Sequence, residues 1–117
     1  MSNLLNQAGI SEANGFALNV SNFAWTADNV TYGTQLSNMI GGKHFVIDTS
    51  RNGNGPGDRW CNPEGRALGT PSRGFSSGLV DAYLWVKPPG DSDGACFGYG
   101  NGFLPAYACG LAERAPF

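Results

Sequence analysis

The apolar run Leu79, Val80, Ala82, Tyr83, Leu84, Trp85 and Val86 constrains this chain most, because it stops against Pro88-Pro89 and passes at once into Gly90-Asp91-Ser92-Asp93-Gly94. Bounded by Gly78 on its other side, it reads as a strand buried on both faces, and Pro88 cannot donate to the ladder that would extend it. Lys87, Asp91 and Asp93 therefore collect at the strand's carboxyl end. In parallel α/β folds that end gathers ligands and reactive groups, since its loops vary while the strands hold them rigidly. Asp, Ser and Gly also build ordinary solvated turns, so Gly-Asp-Ser-Asp-Gly alone permits that simpler reading.

The rest of the chain supplies the frame. Residues 2 to 8 look like the last turns of a helix stopped by Gly9, and Gly15-Phe16-Ala17-Leu18-Asn19-Val20 reads as a short buried strand with Asn19 and Asn22 at its end. After Trp25, Thr26 or Asp28 can cap a helix through about Ile40, with Val30, Leu36, Met39 and Ile40 inward and Gly41-Gly42 as its stop. His44-Phe45-Val46-Ile47-Asp48-Thr49 is the next strand, and a final helix covers about 102 to 113. The order strand, helix, strand, long loop, strand, long loop, helix predicts an α/β fold with parallel strands. Only three strands are readable. Both edges of such a sheet would be unpaired and apolar, and its two faces would lack enough helices, which is the physical mark of part of a larger fold. No repeat or linker divides residues 1–117 into two units.

Composition narrows the partners. A chain of 117 residues holds one core but is too short for most complete α/β barrels. Its net charge of −2, with 14% charged residues and no basic cluster, argues against a nucleic-acid surface or a polybasic membrane contact and favours a neutral ligand. No apolar run approaches the length of a membrane span, and nothing at the N-terminus resembles a signal peptide, so the chain is expected to be either cytosolic or a piece from inside a longer secreted protein. Cys61, Cys96 and Cys109 are too few for a disulfide scaffold and match no zinc spacing. One bridge with one leftover thiol is the simplest arithmetic, and neither a metal nor a cofactor is expected. The 18 glycines and 7 prolines concentrate between Gly53 and Gly102, predicting long loops studded with Trp60, Phe75, Phe97, Tyr99 and Phe103. Aromatic-rich loops of that length favour function.

Four segments then point to a family. They are Phe16-Ala17-Leu18-Asn19-Val20-Ser21-Asn22-Phe23, then Ile47-Asp48-Thr49-Ser50-Arg51-Asn52-Gly53-Asn54-Gly55-Pro56, then Trp60-Cys61-Asn62-Pro63 with Gly65-Arg66-Ala67-Leu68-Gly69, and finally Val80 through Gly94. In this order the chain closely resembles the cellulases of glycoside hydrolase family 6, from about Gly15 to Ala112. It looks like only the C-terminal portion of their catalytic domain.

The resemblance implies part of a distorted (β/α) barrel from a secreted enzyme that hydrolyses β-1,4-glucosidic bonds in cellulose or cello-oligosaccharides with inversion. Inversion needs an acid for the leaving oxygen and a carboxylate that activates water on the opposite face, roughly 6.5–9.5 Å away. Asp93 matches the family's proposed base, and Arg51 and Lys87 resemble its cationic partners, which would keep the aspartate ionised. Trp60 matches a tryptophan that stacks a glucosyl ring, and Asn19, Lys87 and Asp91 match hydroxyl-binding positions, although the family often carries glutamate where Asp91 stands. The resemblance also pairs Cys61 with Cys96 and leaves Cys109 reduced. The family's general acid lies in an earlier Glu-Pro-Asp type motif absent from this chain, and Glu64 follows Pro63 without the completing aspartate. The missing N-terminal half would supply that acid, so the isolated chain is expected to be inactive.

Simpler roles exist for several of these residues. Asn19 can satisfy backbone at a strand end, Trp25 and Trp85 suit packing, His44 suits a structural pairing and Asp48 suits an architectural acceptor. Two other functional classes fit the chain: a non-catalytic carbohydrate-binding module using Trp60 and the aromatic loops, and a merely structural α/β domain. The short segment between Arg51 and Trp60 leans toward an open cleft.

Overall fold

In the computed structural model, which describes residues 1–117, one four-stranded sheet organises the chain. Strand β1 (Gly15–Leu18) pairs in parallel with β2 (His44–Asp48), and β2 pairs in parallel with β4 (Val80–Leu84). A two-residue strand, β3 (Arg73–Gly74), adds antiparallel to β4, giving the order β1, β2, β4, β3. The α/β class with parallel strands is thus present, within a mixed sheet. The expected count of three strands is corrected to four. Two residues are too few to leave a periodic pattern, and β3 exists only because the chain folds back so that Arg73 and Gly74 meet Tyr83 and Ala82.

Helix α1 (Ser2–Gln7) precedes β1, and α2 (Thr26–Met39) connects β1 to β2. Gly33 lets the α2 backbone lie directly on the sheet, because a Cβ there would run into the Phe45 ring and Leu18. Leu36 and Ile40 join Ile10 in the core, with Leu5 and Phe16 packed against them, and the Phe16 and Phe45 rings stack at 5.2 Å. Met39, expected inward, is instead 64% exposed. The buried face runs through Asn29, Gly33, Leu36 and Ser37, which turns Met39 onto the flank. Neither Thr26 nor Asp28 caps the helix with its side chain. Asn29 Nδ2 donates back to the Trp25 carbonyl at 3.0 Å, while Thr26 Oγ1 accepts from Asn52 Nδ2 at 3.0 Å.

The reading of residues 79 to 86 as a strand buried on both faces is also corrected. Every residue of β4 retains exposure, and Leu84 and Val86 are exposed outright. Helix α3 (Pro105–Glu113) does not cover β4. It buries Tyr107 and Leu111, and the Leu111 carbonyl accepts from Leu68 N at 3.1 Å, so α3 packs on the loop around residues 63 to 68. That loop lies hard against the segment following β2. A Cβ on Gly53 would collide with the Leu68 carbonyl, and one on Gly69 with the Thr49 carbonyl and the Asn52 side chain. No helix is long and apolar enough to cross a membrane.

Candidate active site

The three parallel strands end together, and one carboxylate ties the ends. Asp48, 1% exposed at the close of β2, accepts from Ser21 N at 2.9 Å, from Ser50 N at 2.8 Å and from Lys87 N at 3.2 Å. A carboxylate offers only acceptors, so three converging N–H groups satisfy it without a counter-charge. These donors belong to the segments leaving β1, β2 and β4. Asn19 closes the same corner: its Nδ2 donates to the Asp48 carbonyl at 2.9 Å, and its Oδ1 accepts from Ala24 N at 3.1 Å. With φ at 64° it sits in the left-handed region, which asparagine tolerates better than most residues.

The corner presents two cations to one carboxylate. Arg51 Nη1 lies 2.8 Å from Asp93 Oδ2 and Lys87 Nζ lies 3.2 Å from Asp93 Oδ1, with side-chain exposures of 0% for Arg51, 12% for Lys87 and 6% for Asp93. Arg51 is itself held, since Nη2 donates to the Ser21 carbonyl at 2.7 Å and the guanidinium lies 4.4 Å over the Phe23 ring. The peptide N–H of Asn62 adds a third donor to Asp93 Oδ2 at 2.8 Å. Burial pushes the Asp93 carboxyl up, but the Arg51 hydrogen bond, the Asn62 amide, the Arg51 charge and Lys87 outweigh it and hold the group below its ordinary value of 3.8. Asp93 is therefore an anion throughout the neutral range. Its Oδ2 carries two donors, whereas Oδ1 meets only Lys87 and keeps a lone pair for another partner.

Arg51, Lys87 and Asp93 thus touch directly, and Asn19 joins them through the Asp48 corner. Asp91 and Trp60 make no side-chain hydrogen bond or ion pair with that cluster. Asp91 N donates to the Pro88 carbonyl at 3.0 Å and the residue bridges to Phe103, which leaves its carboxylate without a hydrogen bond inside the chain. Trp60 is 73% exposed and adjoins Cys61, whose disulfide to Cys96, with Cα atoms 6.5 Å apart, reaches three residues past Asp93. Trp60 is therefore linked covalently, through its neighbour, to the segment that follows the Asp93 turn. Cys109 is free and exposed. At the opposite end of the sheet His44 pairs with Asp81 at 2.8 Å, while Trp85, directly after β4, donates its Nε1 to the Thr70 carbonyl at 3.0 Å. Glu64 accepts from Tyr99 Oη at 2.9 Å.

Asn62 is the member of the site that sequence reasoning did not assign. It is fully buried, and its side-chain Oδ1 accepts from Asp93 N at 2.9 Å. The available signal was an asparagine between a cysteine and a proline, in a turn where only a side chain could satisfy nearby backbone. Ser92 was equally silent, although its Oγ donates to the Gly94 carbonyl at 2.8 Å and accepts from Gly94 N at 3.1 Å within the turn.

Comparison with known proteins gives this geometry its context. The model for the glycosyl hydrolases of family 6 matches residues 1–110. Endoglucanase A of Cellulomonas fimi is 60% identical over 97 residues, covering 82% of this chain and 22% of that protein. Endoglucanase 1 of Streptomyces halstedii is 47% identical over 118 residues, covering 92% of this chain and 36% of that protein. Among solved structures, the endoglucanase from Mycobacterium tuberculosis in complex with methyl-cellobiosyl-4-deoxy-4-thio-β-D-cellobioside superposes with a TM-score of 0.90 at 47% identity. That match covers 97% of this chain and 41% of the solved one. The chain spans well under half the length of each of these relatives.

Proposed function

Because the chain belongs to glycosyl hydrolase family 6, we propose that it forms the C-terminal portion of a secreted catalytic domain that hydrolyses β-1,4-glucosidic bonds in cellulose with inversion. The observation that carries this reading is the Asp93 carboxylate, 6% exposed, ionised between Arg51 and Lys87 at the carboxyl ends of three parallel strands. In this reading Asp93 is the base. Oδ1 takes a hydrogen bond from the attacking water and receives its proton as the C–O bond forms, while Arg51 and Asn62 keep Oδ2 occupied and the carboxylate oriented. Trp60 offers an apolar face for a glucosyl ring, and the free carboxylate of Asp91 and the ammonium of Lys87 address its hydroxyls. Asn19 contributes from the strand corner. In this reading the acid that protonates the leaving oxygen comes from the rest of the catalytic domain, because the Glu-Pro-Asp type motif that carries it in the family is absent from this chain. A carbohydrate-binding module would use Trp60 alike, but would leave a buried anion between two cations without a task.

The test is reducing-sugar release from carboxymethylcellulose by the complete catalytic domain that carries these residues, by its Asp93→Asn and Asp93→Ala variants, and by the 117-residue chain alone. One positioned acid or base contributes about 10²–10⁴-fold, so each variant should lose activity in that range and the isolated chain should show negligible turnover. The anomer released first, read by proton NMR on cellotetraose, should be α. An unaffected Asp93→Ala enzyme removes Asp93 from the mechanism, a β product rejects inversion, and robust turnover by the chain alone means that it holds its own acid.

A further inference from the structure

We propose that Asn62 is the positioning residue for Asp93, fixing the turn that carries the carboxylate and thereby selecting Oδ1 as the oxygen that faces water. This rests on the reading of Asp93 as the base. The two residues are joined reciprocally: Asn62 N donates to Asp93 Oδ2 at 2.8 Å, and Asp93 N donates to Asn62 Oδ1 at 2.9 Å. The rest of the amide goes to the same turn, with Nδ2 donating to the Gly94 carbonyl at 2.9 Å and lying 3.2 Å from Ser92 Oγ and 3.3 Å from Cys96 Sγ. One buried side chain therefore contacts four residues between 92 and 96 and spends nothing elsewhere. Placing two donors on Oδ2 is what leaves Oδ1 with the available lone pair.

Asn62 can act as a reference point because its own position is over-determined. Cys61 before it is bridged to Cys96, and the carbonyl of buried Pro63 after it accepts from Tyr107 Oη on α3 at 2.6 Å. Its φ of 45° lies in the left-handed region, where asparagine and glycine are the tolerated residues. Glutamine would overreach, and aspartate would keep the acceptor for Asp93 N but lose both amide donors and bring a second negative charge beside the first.

The experiment compares Asn62→Gly, Asn62→Asp and Asp93→Asn in the complete catalytic domain, measuring kcat and KM on cellotetraose across pH together with thermal melting. Asn62→Gly keeps the left-handed backbone and its N–H while removing the amide. A displacement near 1 Å at a reacting group costs about a hundredfold, so kcat should fall roughly ten- to a hundredfold with KM nearly unchanged. The groups facing Asp93 are Arg51, Lys87 and Tyr107, and of these the two cations hold its proton affinity down. Loosening the turn should therefore move the acidic limb of the kcat/KM profile to higher pH in Asn62→Gly, and further in Asn62→Asp. A lower melting temperature with kcat and the acidic limb unchanged would overturn the proposal, leaving Asn62 a purely structural residue. If Asn62→Gly does not fold, an unshifted acidic limb in Asn62→Asp overturns it alone. Loss of activity in Asp93→Asn beside unaffected Asn62 variants rejects only this inference, whereas an active Asp93→Asn enzyme rejects the base assignment and the inference together.

Discussion

Replacing Arg51 by methionine removes the charge that compensates Asp93 while keeping a long apolar stem over Phe23. Unit charges about 4 Å apart at an effective dielectric near 20 attract by about 4 kcal/mol, and the Arg51 and Asp93 side chains, at 0% and 6% exposure, are screened little by solvent. Breaking a buried pair from one side costs about 3–5 kcal/mol, because the remaining charge stays desolvated. Lys87 at 3.2 Å and the Asn62 N–H at 2.8 Å still reach Asp93, which places Arg51→Met at the lower end, near 3 kcal/mol. The assay is urea unfolding of the complete domain at pH 7 for Arg51→Met, Asp93→Asn and the double variant. The double variant should be less destabilised than the sum of the singles, by about 2 kcal/mol. The pH dependence has a definite sign. The Asp93 value is depressed in the folded state, so its contribution is fully present above its ordinary value of 3.8 and is lost as pH falls below that through the folded value. In Arg51→Met the carboxyl is no longer held down as strongly, and acid relieves its uncompensated charge, so the deficit relative to the parent should narrow on acidification. A cost below about 1 kcal/mol at pH 7, the range of an exposed pair, or additive single variants would refute the reasoning.

Two further outcomes are expected. Replacing both Cys61 and Cys96 by serine should lower stability by roughly 3–4 kcal/mol, because the bridge closes a loop across a sequence separation of 35; a melting temperature unchanged from the parent, measured without reductant, would contradict that. Trp60→Ala should weaken cello-oligosaccharide binding about two- to twelvefold, as loss of about 0.5–1.5 kcal/mol of ring stacking dictates, with the fold intact because the indole is 73% exposed; calorimetric titration with unchanged affinity would remove Trp60 from the substrate path.

The elements with periodic or bounded apolar patterns were legible in the sequence: the segments around Phe16, Phe45 and Tyr83 form the parallel strands, and the helix after Trp25 ends at Met39. Burial was less legible, because it depends on what packs against an element. Leu84 and Val86 are apolar enough for a core, yet α3 docks on the loop near Leu68 and leaves them exposed. Residues whose chemistry is a charge, such as Arg51, Lys87 and Asp93, stood out by type and by their place at strand ends. Asn62 did not, since its importance lies in which backbone groups surround it after folding, and a sequence does not display those. The start of α2 escaped for the same reason: no side chain caps it, and Asn29 and Asn52 instead donate there to the Trp25 carbonyl and the Thr26 hydroxyl.

The Asp48 knot has a consequence for how this corner can vary among descendants of the sequence. Its three donors are peptide N–H groups, those of Ser21, Ser50 and Lys87, so it constrains backbone without reading side-chain identity. Positions 21 and 50 are free, as far as this knot is concerned, to exchange one side chain for another, with position 21 further biased toward residues at ease with its φ of 62°. The one residue barred from all three is proline, which brings no N–H to the carboxylate. Mutational drift at the mouth of the site can therefore alter its chemistry while the convergence of the strand ends is inherited unchanged, for as long as position 48 remains an aspartate.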